Sequence, residues 1–378
     1  MKFKVNRDHL VNGLSQVVNV TSSNPRSLPA TLPVPVGDKA LIEAAEDFVS
    51  LSATGMDLRI SCRVKADVSS PGKIMLPAKW LKNVVGGFRN LDVFFEVQGE
   101  NRVKINSGSS KFNAVAMSAV DFPMEPSFDS AFSIELDKSC LLRIIRLVSY
   151  AQSTDENRYI LNGIFFNFAE DELTVVATDG RRLAKSVCKL ENNIESAMNF
   201  ILPSSAVIEL QKLLVGEGKV HLEIGERQVS FDIDSESEET GIVGKIKVVS
   251  KLIEGKYPQY QGVIPKDPGN KVGIEREELL SAIMQVRKAG IDSVILSLSE
   301  NIMELTASSD EYGDSSDKIA IKYVGNDVKI AFNPDFVIDI LKALTQDSIM
   351  FEFKDDLSPG VFKTKDETFL CVVMPLRK

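Results

Sequence analysis

A pattern that recurs three times along one chain constrains its fold strongly, because each copy must bury the same face in the same way. Three segments of this sequence share such a pattern: FKVNRDHLVNGLSQVV from Phe3, IELDKSCLLRIIRLVS from Ile134 and VGIEREELLSAIMQVR from Val272. Each reads as a short alternating strand running into an amphipathic helix. Val5, Leu10, Leu14 and Val17 correspond to Leu136, Leu141, Ile145 and Val148, and to Ile274, Leu279, Ile283 and Val286. The helical positions fall at i, i+4 and i+7, which marks one buried face. A second helix follows in each copy, in MLPAKWLKNVV, ILPSSAVIELQKLL and AFNPDFVIDILKAL. Pro77, Pro203 and Asn333 stand just before these helices, where a missing N–H or a capping side chain is favourable. The spacing predicts helices over 7–20, 77–88, 138–151, 204–215, 276–289 and 334–345. Period-2 runs such as LDVFFEV, GIFFNFA, LTVVATDG, QVSFDI, VILSLS and IMFEFK fill the intervals and read as strands. The Pro-rich joins VDFPMEPSFDSAF and EGKYPQYQGVIPKDPGNK divide the 378 residues into expected α+β domains at 1–127, 128–257 and 258–378.

Much chemistry is excluded by what the chain lacks. Only two histidines occur, His9 and His221, and neither has a ligand spacing, so no metal site and no Ser-His-Asp triad is expected. The cysteines at 62, 140, 188 and 371 form no CxxC pair and are expected to be buried free thiols. No glycine-rich phosphate loop is present. Carboxylates such as Asp155, Glu156 and Asp179 are unpaired in the sequence, which leaves a hydrolase reading without support. The sequence has no bilayer-length apolar stretch and no signal-like start, so a cytoplasmic protein without a membrane partner is expected. Its net charge of −9 argues at first against nucleic acid. Yet the six predicted helices hold 11 Lys and Arg against 6 Asp and Glu, so the acidity lies outside them. Lys79, Lys82, Lys138, Arg143, Arg146, Arg287 and Lys288 are the helix cations available for phosphate.

The motifs MDLRISCRV (56–64), DFP (121–123), RYILNGIFF (158–166), ATDGRRLA (177–184), LIEGKYPQYQGVIP (252–265), FNPDFVIDILKAL (332–344) and VVMPLR (372–377) come in order over the whole chain. With them the sequence resembles the bacterial DNA polymerase III beta subunit, the sliding-clamp family. The resemblance implies a DNA clamp fold: three similar domains, each with two inner helices on outer antiparallel sheets, and two chains closed head to tail into a ring. It implies a protein that is not an enzyme and needs no cofactor or metal. Such a ring encircles duplex DNA without regard to sequence. It also tethers the DNA polymerase III catalytic subunit, the clamp loader and other proteins that carry a clamp-binding motif. A clamp-like peptide scaffold that does not encircle DNA is the alternative. Size favours the ring. A domain of this length is a sphere about 36 Å across, so three leave a gap of only about 6 Å, whereas six leave a hole wider than duplex DNA.

Site residues follow from the same resemblance. Arg26, Lys79, Lys82, Arg143, Arg146, Arg158 and Tyr159 are the expected DNA contacts, with Ile160 where some members have a second tyrosine. The partner-peptide pocket falls on Leu161, Thr178, Gly180, Arg181, Arg182, Leu183, Pro258, Val263, Asn333, Phe336, Leu357, Pro359, Val372, Val373, Met374, Pro375, Leu376 and Arg377. In it, Arg182 and Arg377 are expected to orient the polar ends of the peptide. Phe112, Ala114, Ala289, Gly290 and Ile291 fall at the expected subunit contact. The chain departs from the family pattern at Arg181, where histidine is common, and at Gly262, where arginine is common. Ala114 replaces a larger residue, and the segment 285–294 is shorter than usual. These last two imply a dimer weaker than is typical of the family, or one closed by other contacts.

Overall fold

The computed structural model describes residues 1–21, 37–99, 101–125, 129–267, 269–288, 292–309, 311 and 313–377, apart from the side chains of 192, 193 and 195. One succession of elements occurs three times. The first is β1 (Lys2–Asn6), α1 (Arg7–Val17), β2 (Lys39–Ala45), β3 (Phe48–Thr54), β4 (Leu58–Ser70), β5 (Gly72–Pro77), α2 (Ala78–Gly86), β6 (Asp92–Gln98), β7 (Arg102–Ser107) and β8 (Ser110–Val115). The second is β9 (Phe132–Asp137), α3 (Lys138–Ser149), β10 (Gly163–Thr178), β11 (Arg182–Pro203), α4 (Ser204–Leu213), β12 (Lys219–Ile224), β13 (Gln228–Asp234) and β14 (Lys245–Lys251). The third is β15 (Asn270–Glu275), α5 (Arg276–Arg287), β16 (Val294–Ser299), β17 (Ile302–Ser309), β18 (Gly313–Ala320), β19 (Val328–Phe332), α6 (Pro334–Ala343), β20 (Ser348–Phe353), β21 (Gly360–Lys363) and β22 (Phe369–Val373).

The middle copy has two long strands where the others have four short ones. In β10 the register against β11 shifts on both sides of Glu170, which adopts φ +55°. A bulge of this kind lets two consecutive strands run on as one bent strand. All six helices begin within one residue of the sequence expectation and end two or three residues earlier. Two of these starts, those of α1 and α6, are fixed by capping side chains. Asn6 Oδ1 accepts the N–H groups of Asp8 (2.8 Å) and His9 (3.3 Å), and Asn333 Oδ1 accepts that of Asp335 (2.8 Å), with Pro334 in the first turn.

By contact the chain separates into two compact units, Met1–Leu141 with Ile208–Leu252, and Leu142–Val207 with Ile253–Lys378. The first holds a 12-stranded antiparallel sheet ordered β8-β7-β6-β1-β4-β14-β13-β12-β9, with β2, β3 and β5 branching from β4. Alternation along β1 sends Phe3 and Val5 into the core, where the Phe3 ring stacks on Phe95 at 4.6 Å. Helix α1 lies close over this core because position 13 is glycine. A Cβ there would overlap Val64 and stand 2.9 Å from Leu51 Cδ1. Gly13→Val should therefore cost about 1–3 kcal/mol through overpacking, read as a lower urea midpoint with an unchanged slope. An unshifted midpoint would mean that the helix can move away freely.

The second unit holds a six-stranded sheet, β10-β11-β22-β21-β20-β15, and a four-stranded sheet, β18-β17-β16-β19. Its core centres on Phe351, whose ring lies 4.7 Å from Phe362, 5.2 Å from Phe353 and 6.0 Å from Phe332. Cys62 and Cys371 are the expected buried free thiols, and burial pushes each up to about 12, so neither is a thiolate at neutral pH. Cys140 and Cys188 depart from the expectation. Both are only half-buried, and both are disulfide-bonded.

Candidate functional site

The motif ATDGRRLA forms the turn from β10 into β11. Asp179 Oδ1 accepts the backbone N–H groups of Arg181 (2.8 Å) and Arg182 (2.9 Å), while Thr178 Oγ1 accepts that of Gly180 (3.1 Å). Gly180 takes φ +86°, a left-handed conformation that favours glycine, and a Cβ would also press on Arg158 Nη1 at 2.9 Å. Beyond the turn, β11 pairs with β22, with Arg182 opposite Val373 and Leu183 opposite Val372. The C-terminal segment then continues along β11, since Met374 N–H donates to the Arg181 carbonyl (2.9 Å). A 3₁₀ turn over Tyr260–Val263 supplies the opposite wall.

These pieces enclose a mainly apolar cup of about 170 Å³. It is lined by Leu161, Thr178, Gly180, Arg181, Arg182, Leu183, Pro258, Val263, Val372 and Met374, all expected from the sequence, and by Gln259 and Tyr260, which were not. The floor rests on a buried cluster that includes Val176, Leu183, Ile201, Tyr257, Tyr260, Val361 and Val372, with Tyr257 stacked on Phe165 at 4.9 Å. The remaining expected pocket residues do not line the cup. Val373 follows Val372 on the strand, so it points to the other face and is fully buried. Asn333 is spent as the α6 cap. Leu357, Leu376 and Arg377 are exposed, and Pro359 and Pro375 are half-buried.

Arg182 lines the cup as expected and is also held tightly within its wall. Its side chain is only 10% exposed. It pairs with Asp179 (3.0 Å) and with Asp339 on α6 (2.7 Å), and donates to the Tyr150 carbonyl. Its guanidinium sits 4.4 Å from the Phe336 ring centre and 5.3 Å from that of Tyr150. Each guanidinium nitrogen has one N–H engaged within the protein, so Arg182 helps to build the wall of the cup. Arg181, beside it, is exposed.

The helix cations divide in two. Lys79, Arg143 and Arg146 are exposed and Lys82 is half-buried, and among the described residues none of the four is seen in an ion pair. Lys138 is 5% exposed, with Nζ on the Asp234 carbonyl at 3.0 Å, and burial lowers its pKa. Arg287 is held by both oxygens of Asp335, at 2.6 and 3.0 Å, and Lys288 lies exposed on Gln285. Arg158 donates to the Asp179 carbonyl at 3.0 Å and lies 3.7 Å from Asp155, and Tyr159 is 58% exposed beside it. Arg26 lies outside the described residues, as do Ala289, Gly290 and Ile291. Phe112 and Ala114 lie on β8, which among the described residues pairs only with β7 and so stands at an edge of the sheet. Phe112 is exposed and packs edge-on against Phe88 at 5.6 Å, whereas Ala114 is buried.

A thrice-repeated strand–helix unit together with an open apolar cup defines a repeat-built binding protein with the sliding-clamp fold. The chain belongs to the DNA polymerase III beta subunit family. The family models for the N-terminal, central and C-terminal domains match residues 1–126, 135–259 and 261–377. The beta sliding clamp of Chlamydia muridarum is 29% identical over 380 residues, covering 100% of this chain and 99% of its own. That of Salmonella typhimurium is also 29% identical, over 384 residues and the full length of both. Among solved structures, a sliding clamp from Bartonella birtlesii bound to griselimycin matches with TM-score 0.90 at 28% identity over all of both chains. The Bacillus subtilis sliding clamp matches with TM-score 0.90 at 27% identity, over 100% of this chain and 99% of that one.

Proposed function

We propose that this protein is a processivity clamp. Two copies close head to tail around duplex DNA and slide on it, and the cup tethers the replicative polymerase, the clamp loader and other partners by short peptides. The observation that carries this reading is the threefold recurrence of one strand–helix succession along the whole chain, in a member of the beta-subunit family. Six such units make a ring with room for a duplex. The protein does its work without catalysis, in the cytoplasm. A closed ring is held by topology, so its phosphate contacts can be weak and independent of sequence. Lys79, Lys82, Arg143 and Arg146 suit that task, because no carboxylate among the described residues is seen neutralising them. The open edge of β8 with exposed Phe112 is the surface that meets the second copy, and its small, buried Ala114 favours a dimer weaker than most.

Retention on DNA tests the reading. Protein loaded onto nicked circular DNA should stay bound through a wash in high salt and be released when the circle is cut. Equal loss from circular and linear DNA would show a peptide scaffold that does not encircle DNA.

A further inference from the structure

Helix α2 carries the chain's single tryptophan on its outer side. Ala78, Leu81 and Val85 are buried and take one side of this helix. At about 100° per residue, Lys79, Asn83 and Trp80 then share the opposite side, with Asn83 between the other two and Lys82 next to Lys79. Trp80 is 38% exposed, and no ring, cation or hydrogen-bond partner of its indole is seen among the described residues. The helix contains no acidic residue, and Lys79 and Lys82 are in no ion pair seen there. A planar ring beside two unneutralised cations, on a surface without carboxylates, suits a single strand of nucleic acid: a base stacks on the ring and the phosphates meet the cations. The two cations favour a polyanion over an apolar protein surface. In a duplex each base face is covered by its neighbours, so an indole there reaches only the sugar–phosphate edge. A single strand offers whole base faces. We propose that Trp80 stacks on an unpaired base while Lys79 and Lys82 take adjacent phosphates, which makes this face of α2 a site for single-stranded DNA. The inference rests on the DNA-clamp role proposed above and extends it to the place where a duplex gives way to one strand. Every base has a face to stack, so the contact stays independent of sequence.

The test titrates the full-length protein with a short oligothymidylate and with the same strand paired in a duplex. Because Trp80 is the single tryptophan, indole emission reports this position alone. Stacking quenches that emission, so the single strand should quench it strongly at saturation and the duplex weakly. Polarisation of labelled strands gives the affinities. Trp80→Ala should bind the single strand about tenfold more weakly, within the range for one lost stacked base, and should bind the duplex within about twofold of the wild type. Trp80→Phe keeps a ring to stack and should recover most of the loss. Added salt should weaken binding of both DNAs. The quenching needs no variant, so the test holds even where alanine is not tolerated. Failure of the single strand to bind, absence of quenching when it is bound, quenching to the same depth by the duplex, or an equal loss of both DNAs in Trp80→Ala would overturn the stacking. Retention on circular DNA is a separate readout. Retention without quenching leaves the ring and removes the stacking, whereas quenching without retention does the reverse.

Discussion

Arg182→Ala should destabilise the second unit by about 2–4 kcal/mol and abolish peptide binding at the cup. Removing one partner of a fully buried ion pair costs about 3–5 kcal/mol, and the range here is lower because Asp339 keeps contact with solvent. The loss is large because Arg182 ties three segments at once: the Asp179 turn, the end of α3 through the Tyr150 carbonyl, and α6 through Asp339 and Phe336. Alanine leaves Asp179 and Asp339 facing each other without the cation between them. Thermal unfolding followed by far-UV circular dichroism gives the stability, and peptide titration well below the transition gives the binding. Arg182→Lys keeps the charge but loses the fork, so it should fall between wild type and alanine on both measures. Full peptide affinity in a folded Arg182→Ala protein would show that the wall does not depend on this residue.

The second large effect is expected at the centre of the same unit. Phe351→Ala should cost about 3–5 kcal/mol, the range for emptying an aromatic site in a packed core. Phe332, Phe353 and Phe362 contact the ring from different strands, so no single neighbour can swing in to fill the space. Far-UV circular dichroism in urea is the appropriate readout. The single tryptophan, Trp80, belongs to the other unit, and its fluorescence does not report this core directly. A shift of less than about 1 kcal/mol would mean that the sheet collapses around the cavity.

The repeat was legible because it is written in local signals: buried helical faces at i, i+4 and i+7, and a cap at Asn333. Helix starts were found to within a residue for the same reason. The ends were placed too late because apolar residues continue past the last turn. The fusion of strands in β10 and β11 was hidden, since it depends on Glu170 accepting a left-handed conformation, which no residue pattern announced. Ten cup residues came from the family resemblance, and Gln259 and Tyr260, where a 3₁₀ turn begins, were not among the matched positions. The partners of Arg182, Lys138 and Arg287 were hidden from the sequence by one cause. Each cation is satisfied by a group distant in the sequence or across a turn: Asp339, the Asp234 carbonyl and Asp335. Helical spacing reveals which face a lysine occupies but not what lies opposite it.

The pairing of β11 with β22 has a consequence for how the cup can fail. Arg182 meets Val373, and Val372 and Met374 line the cup beside Leu183 and Arg181, so its wall is shared by segments far apart in the sequence. Neither segment forms the cup alone. A change that loosens this strand pair in either segment should therefore weaken every cup-dependent interaction together, as a common loss of affinity.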